Sequence, residues 1–108
     1  MKTLKALLFT TSTAALLTTQ CFAASPETQA LYKNKCVACH GADGSASPIG
    51  KKMGAQDFSS PDVMKLSDSD LTDATTKGKN KMPAFKDKLK DSEIKDLIAY
   101  VKELGKKK

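Results

Sequence analysis

Cys36-Val37-Ala38-Cys39-His40 is the stretch of this chain whose residue types and spacing can do chemistry. Two thiols three positions apart, followed directly by an imidazole, form the attachment pattern for c-type haem. The spacing follows from the reaction: both thiols add to the two vinyl groups on one porphyrin edge, while the next residue swings beneath the ring to ligate iron. Cys-x-x-Cys without the histidine is also the pattern of thioredoxin-like redox pairs and of half a zinc site. A structural zinc site needs four ligands. His40 is the single histidine of the chain, and the third cysteine, Cys21, lies in a segment expected to be removed. A thioredoxin-like pair needs βαβ surroundings, and no strand pattern is present. Two buried thiols beside a surface histidine remain the plain structural alternative.

A haem iron held by His40 has a second axial position. Outside the N-terminal segment the methionines are Met53, Met64 and Met82. Pro83 biases Met82 out of helical geometry, so its thioether projects from an extended loop, far enough from His40 in sequence to reach the opposite haem face. Met53 is the rival, and Met64 reads as core packing. Pro48-Ile49 offers a carbonyl that could accept the other ring N–H of His40 and fix its orientation, an ordinary turn proline being the other reading.

Helices must hold these residues. Ser25-Pro26-Glu27 combines a hydroxyl cap, a first-position proline and an acid, predicting a helix from about Pro26 into the Cys-x-x-Cys-His motif. Thr28, Leu31, Tyr32, Lys35 and Cys36 fall at helical spacing on it. From Gly41 to Asp57 no periodicity persists and five residues, Gly41, Gly44, Pro48, Gly50 and Gly54, punctuate a long loop, of the kind that wrapping around a haem edge would hold. Ser59-Ser60-Pro61-Asp62 opens a short helical turn through Val63, Met64 and Leu66. Ser67 with Asp70 three residues on starts another, with Leu71 and Ala74 as its buried side, ending at Gly78. The clearest helix is the last: Ile94, Leu97, Ile98, Val101 and Leu104 share one face, Asp91 and Glu93 occupy its first turn, and Gly105 is its expected stop. Its apolar stripe needs a partner, and the helix bearing Leu31 and Tyr32 is the long one on offer, so the two terminal helices are expected to cross near Tyr100.

Residues 1–23 read as a secretory leader: Lys2 and Lys5 form a basic start, Leu4 to Leu17 an apolar run, and Cys21-Phe22-Ala23 a cleavage site. That run is too short and Thr-rich to span a bilayer, so no stable membrane insertion is expected. Cleavage leaves residues 24–105 as one small domain and 106–108 as a basic tail, too little chain for a thick core without a bound macrocycle. Only Cys36 and Cys39 survive, which excludes a disulfide framework. The whole chain of 108 residues carries +6, all its basic residues being Lys. Nucleic-acid binding would call for an Arg-containing stripe with interleaved aromatics, and neither is present.

With Cys36-Val-Ala-Cys-His40, Pro48-Ile49, Met82-Pro-Ala-Phe85 and Leu97-Ile-Ala-Tyr100-Val in that order, the chain resembles the class I cytochromes c. The run from Lys77 to Phe85 is most similar to the small soluble members found in phototrophs and other bacteria. The resemblance covers nearly all of the chain after the leader. It implies an all-α fold with crossed N- and C-terminal helices around one covalently bound haem c. It also implies Cys36 and Cys39 as thioether anchors, His40 and Met82 as axial iron ligands, and the Pro48 carbonyl as acceptor for the His40 ring. One residue departs from the pattern: Thr28 stands where the family commonly has a glycine that lets the C-terminal helix approach, which predicts a wider or shifted crossing.

With both axial positions filled by protein, outer-sphere electron transfer is the chemistry left, and the implied function is that of a one-electron carrier and not an enzyme. A Met ligand raises the potential. Lys77, Lys79 and Lys81 flank Met82, with Lys86, Lys88 and Lys90 beyond, so a basic rim could steer redox partner proteins with acidic docking surfaces, or simply be solvated. The carrier is expected to be monomeric and periplasmic, or lumenal in a phototroph. A haem sensor or ligand-binding module with a labile Met82 is the alternative from another class, and a zinc-binding domain is a third.

Overall fold

The computed structural model describes residues 13–15 and 24–107, so the leader expected over 1–23 lies almost entirely outside the described residues. Helix α1 (Pro26–Lys35) starts where its signals predict: Ser25 is extended, its Oγ accepts from the Thr28 N–H at 3.2 Å, and Pro26 follows as the first helical residue. Its apolar face is weak, and Thr28 and Tyr32 are the residues that it buries. Cys36 ends α1 and begins the single turn α2 (Val37–His40), with the His40 N–H bonded to the Cys36 carbonyl at 2.9 Å.

The segment expected to be an unbroken loop from Gly41 to Asp57 contains a helix, α3 (Pro48–Lys52), capped by the Ser47 hydroxyl on the Gly50 N–H at 3.0 Å. Five residues are too few to reveal a helical period, which is why pattern reading passes over it. Two further capped helices follow, α4 (Pro61–Met64) and α5 (Asp68–Lys77). At α5 the capping box is complete: the Ser67 hydroxyl accepts from the Asp70 N–H, and the Asp70 carboxylate accepts from the Ser67 N–H, both at 3.1 Å. Gly78, at φ 77°, takes the chain out of α5.

Helix α6 (Asp91–Lys106) buries Ile94, Leu97, Ile98 and Leu104 and packs on both α1 and α5. Where it crosses α1, Tyr100 meets Tyr32 edge to face with ring centroids 5.1 Å apart, as the sequence led one to expect. Thr28 is buried yet satisfied, its hydroxyl 3.0 Å from that of Ser25, so the threonine does not displace the Tyr100 contact. A Lys102–Asp68 ion pair joins α6 to the start of α5. Among the described residues there is no strand, only an isolated antiparallel bridge between Lys79 and Met82.

Two expectations are corrected. Gly105 does not stop α6, which runs on to Lys106; it is buried, and a Cβ there would lie 2.7 Å from the Phe58 carbonyl oxygen. The glycine is present for close approach, and composition alone cannot separate that from a stop signal. Met64, expected in the core, is 41% exposed, because α4 lies at the rim with its thioether over Gly105. The core is thin: Tyr32, Phe58, Phe85, Leu89, Ile94, Leu97, Ile98 and Leu104 form it, and it opens directly onto a cavity.

Candidate haem pocket

That cavity, of about 320 Å³, is bounded by α2, α5, α6 and the loop carrying Met82. Cys36, Cys39 and His40 line one part, and Met82 and Pro83 another. Between them the walls are apolar, built from Phe58, Leu71, Ala74, Phe85, Leu89, Leu97, Ile98 and Val101. Four of the five site residues singled out in the sequence therefore face one space.

The Cys-x-x-Cys-His turn is clamped from behind. Ser47 donates its hydroxyl to the Ala38 carbonyl at 2.6 Å and its N–H to the Cys39 carbonyl at 2.9 Å. At Gly50 a Cβ would come within 1.8 Å of that same Cys39 oxygen, so only glycine lets α3 seat here. The Ala46 N–H bonds the His40 carbonyl at 2.9 Å, with Ala46 itself at φ 69°, and the Tyr32 hydroxyl donates to the Gly41 carbonyl at 2.6 Å. Rigid support of this kind is what a site needs if its reactive groups are to keep their geometry.

Met82 is held separately. Its N–H bonds the Lys79 carbonyl at 2.9 Å and its carbonyl accepts from the Lys79 N–H at 3.2 Å, closing a tight hairpin around Asn80 at φ 55°. The Phe85 and Lys86 N–H groups hang this hairpin on the carbonyls of Thr75 and Thr76 in the last turn of α5. A Cβ at Gly78 would sit 2.7 Å from the Met82 oxygen, so this glycine too permits close packing. The extended backbone that Pro83 imposes is present, and the Met82 side chain is half-buried. Met53, the rival thioether, borders the same cavity from the end of α3 but is 42% exposed.

Burial sets the charge states. It pushes the Cys36 thiol up to about 11 and lowers the His40 imidazole, which is therefore neutral at pH 7, the form in which histidine ligates a metal. Nδ1 of His40 is buried without a hydrogen-bond partner. No hydrogen bond from this ring to the Pro48 carbonyl is present among the described residues. Pro48 is exposed as the first residue of α3, and a helical carbonyl points along its own helix. The residue that does meet the imidazole is Phe58, its ring centroid 5.0 Å from that of His40 at an interplanar angle of 31°. Sequence reading missed it: a lone aromatic between two loops carries no period, and its partner Gly44 is recognisable only in three dimensions.

Two thiols at haem spacing, a neutral imidazole with an unpartnered buried nitrogen and an apolar cavity wall fit a covalently bound porphyrin. Residues 23–101 match the family described as "Cytochrome C oxidase, cbb3-type, subunit III". The chain belongs to this c-type cytochrome family. Cytochrome c6 of Bryopsis maxima is 35% identical to the cytochrome over 72 residues, 66% of this chain and 81% of the relative. Among solved structures, the KustC0563 c-type cytochrome superposes with a TM-score of 0.68 at 32% identity, covering 71% of this chain and 95% of its own. A point variant of KustC0563 gives 0.67 at 30% identity over 71% and 96%. The cytochrome is accordingly a small all-α class I c-type protein with covalently bound haem c, and its function is haem-based electron carriage.

Proposed function

We propose that the protein is a diffusible, monomeric one-electron carrier outside the cytoplasm, with Cys36 and Cys39 as thioether anchors and His40 and Met82 as axial ligands. The observation that carries this reading is an apolar cavity bordered by all four side chains. The haem supplies the one-electron Fe(III)/Fe(II) couple. The chain supplies the rest: an apolar wall that excludes water and keeps reorganisation small, a neutral imidazole, and a thioether on a hairpin fixed by hydrogen bonds on both sides. A fixed Met82 leaves no vacant position for substrate, which favours electron carriage over a sensing role.

Export is supported by the leader pattern over residues 1–23 and by the cofactor, whose attachment in bacteria takes place beyond the cytoplasmic membrane. No helix among the described residues is long and apolar enough to cross a membrane. The family description names an oxidase subunit, so an oxidase of that type is one acceptor to test. Lys77, Lys79, Lys81, Lys86, Lys88 and Lys90 are all exposed around the Met82 loop, a basic rim suited to a partner with an acidic docking surface.

Replacing Met82 with Ala tests the ligand assignment. The variant is expected to bind carbon monoxide when reduced and to have a lower potential, whereas the native protein should do neither at neutral pH. Carbon monoxide binding by the reduced native protein would turn the reading toward a sensor with a labile methionine.

A further inference from the structure

We propose that Ser47 is a positioning residue that fixes the direction in which the His40 side chain leaves the backbone. The inference rests on the reading of His40 as an iron ligand. Peptide groups are planar, so the aim of a side chain is set by the two planes that flank its Cα. A helix leaves its last carbonyls without partners of its own, and the single turn α2 ends on those of Ala38, Cys39 and His40. Two consecutive residues of the following loop bond all three. The Ser47 hydroxyl donates to the Ala38 carbonyl at 2.6 Å, the Ser47 N–H to that of Cys39 at 2.9 Å, and the Ala46 N–H to that of His40 at 2.9 Å. Both planes beside the His40 Cα, and the one before Cys39, are thereby held.

The same hydroxyl reaches in two directions. Besides donating to Ala38 it caps α3, accepting the Gly50 N–H at 3.0 Å, and so ties the start of that helix to the middle of the motif. Gly50 then seats α3 against the Cys39 carbonyl, where a Cβ would come within 1.8 Å. Backbone strain is spent at this point: Ala46 adopts φ 69°, a left-handed conformation unfavourable for a residue with a Cβ, where successive N–H groups meet successive carbonyls. Ala38 is exposed, so water can satisfy its carbonyl. What the Ser47 hydroxyl adds is register between α3 and the motif, not the rescue of a stranded acceptor.

In fully matured ferric protein the resonances of the four haem methyl groups follow the placement of the axial imidazole. Ser47→Ala is expected to move them, while Ser47→Thr, which keeps the hydroxyl, retains the native pattern. Ser25→Ala removes a serine cap of the same kind from α1 without touching the motif, and should lower the melting temperature with the pattern unchanged. Native methyl resonances in Ser47→Ala, or an equal displacement in Ser25→Ala, would overturn the proposal, because loss of a cap alone moves stability and not the haem spectrum. A second measurement needs no variant: in the native protein the Ala46 and Ser47 amides should exchange with solvent only through global unfolding. Exchange at the rate of an open loop would overturn the proposal even if no Ser47 variant matures. Failure of the ligand reading is separable: the His40 ring protons of the reduced native protein would then lack the upfield shift that a coordinated imidazole takes from the haem ring current.

Discussion

The hydroxyl of Tyr32 donates to the carbonyl of Gly41 at 2.6 Å and so ties the middle of α1 to the backbone leaving His40. Removing it strands a part-buried carbonyl, and Tyr32→Phe is expected to lower unfolding free energy by about 1 kcal/mol in guanidinium titration at neutral pH. The same group makes stability depend on pH. Burial chiefly, with the negative charge of neighbouring ionised groups, raises the Tyr32 phenol well above its usual value near 10. Above that value the unfolded chain loses the phenolic proton while the folded chain keeps it, so the folded state binds more protons and stability falls as pH rises. The contribution is complete below about pH 10 and drains away above it. Tyr32→Phe should therefore flatten the alkaline decline, and unfolding titrations of both proteins across pH 9–11 check it. Equal slopes would mean that lysine deprotonation, common to both, accounts for the whole effect.

Helix α6 shows how local preference and packing can disagree. Alanine is normally better than glycine inside a helix by about 0.5–1 kcal/mol. At Gly105, however, a Cβ would lie 2.7 Å from the Phe58 oxygen and 2.9 Å from the Met64 sulfur. The sulfur ends a flexible, exposed side chain and can move; the carbonyl is backbone and cannot move cheaply. Overpacking of this kind costs about 1–3 kcal/mol, so Gly105→Ala is expected to destabilise, read as a lower guanidinium midpoint. A higher midpoint would show that α6 shifts freely over Phe58. The same site marks the limit of what sequence discloses at this scale. Capped helices α1, α4 and α5 were legible because Ser25, Ser60 and Ser67 act on neighbours in the chain. The α6 stripe was legible because its period repeats. Cys36, Cys39, His40 and Met82 were legible because attachment chemistry and Pro83 constrain them locally. Gly105, Gly50 and Phe58 do their work against backbone or rings far away in sequence, and α3 was too short to foresee.

Across the whole molecule, the excess of lysine is uneven in its consequences. Lys65 pairs with Asp62, Lys102 with Asp68 and Lys107 with Glu103, so several charges away from the cavity mouth are locally balanced. Around the Met82 hairpin, Lys77 lies 3.9 Å from Asp73, while Lys79, Lys81, Lys86 and Lys90 form no ion pair among the described residues. Lys79 and Lys81 border the cavity itself, so positive charge stands at its mouth, with Asp70 near enough to Lys79 to feel it. A field of this kind acts on encounter more than on the bound complex, and salt screens it over about 10 Å at 0.1 M but only about 3 Å at 1 M. Bimolecular electron transfer with an acidic redox partner is therefore expected to slow as ionic strength rises, measured as the second-order rate in stopped flow. Reversing Lys79 and Lys81 together to Glu should slow transfer at low salt and weaken or invert the salt dependence. Reversing Lys65, already paired with Asp62 and outside the cavity lining, should leave both nearly unchanged. Rates that hold constant from low to high salt, or that respond equally to the two sets of reversals, would assign the rim to solubility and leave docking to the apolar surface around Ile49 and Met53.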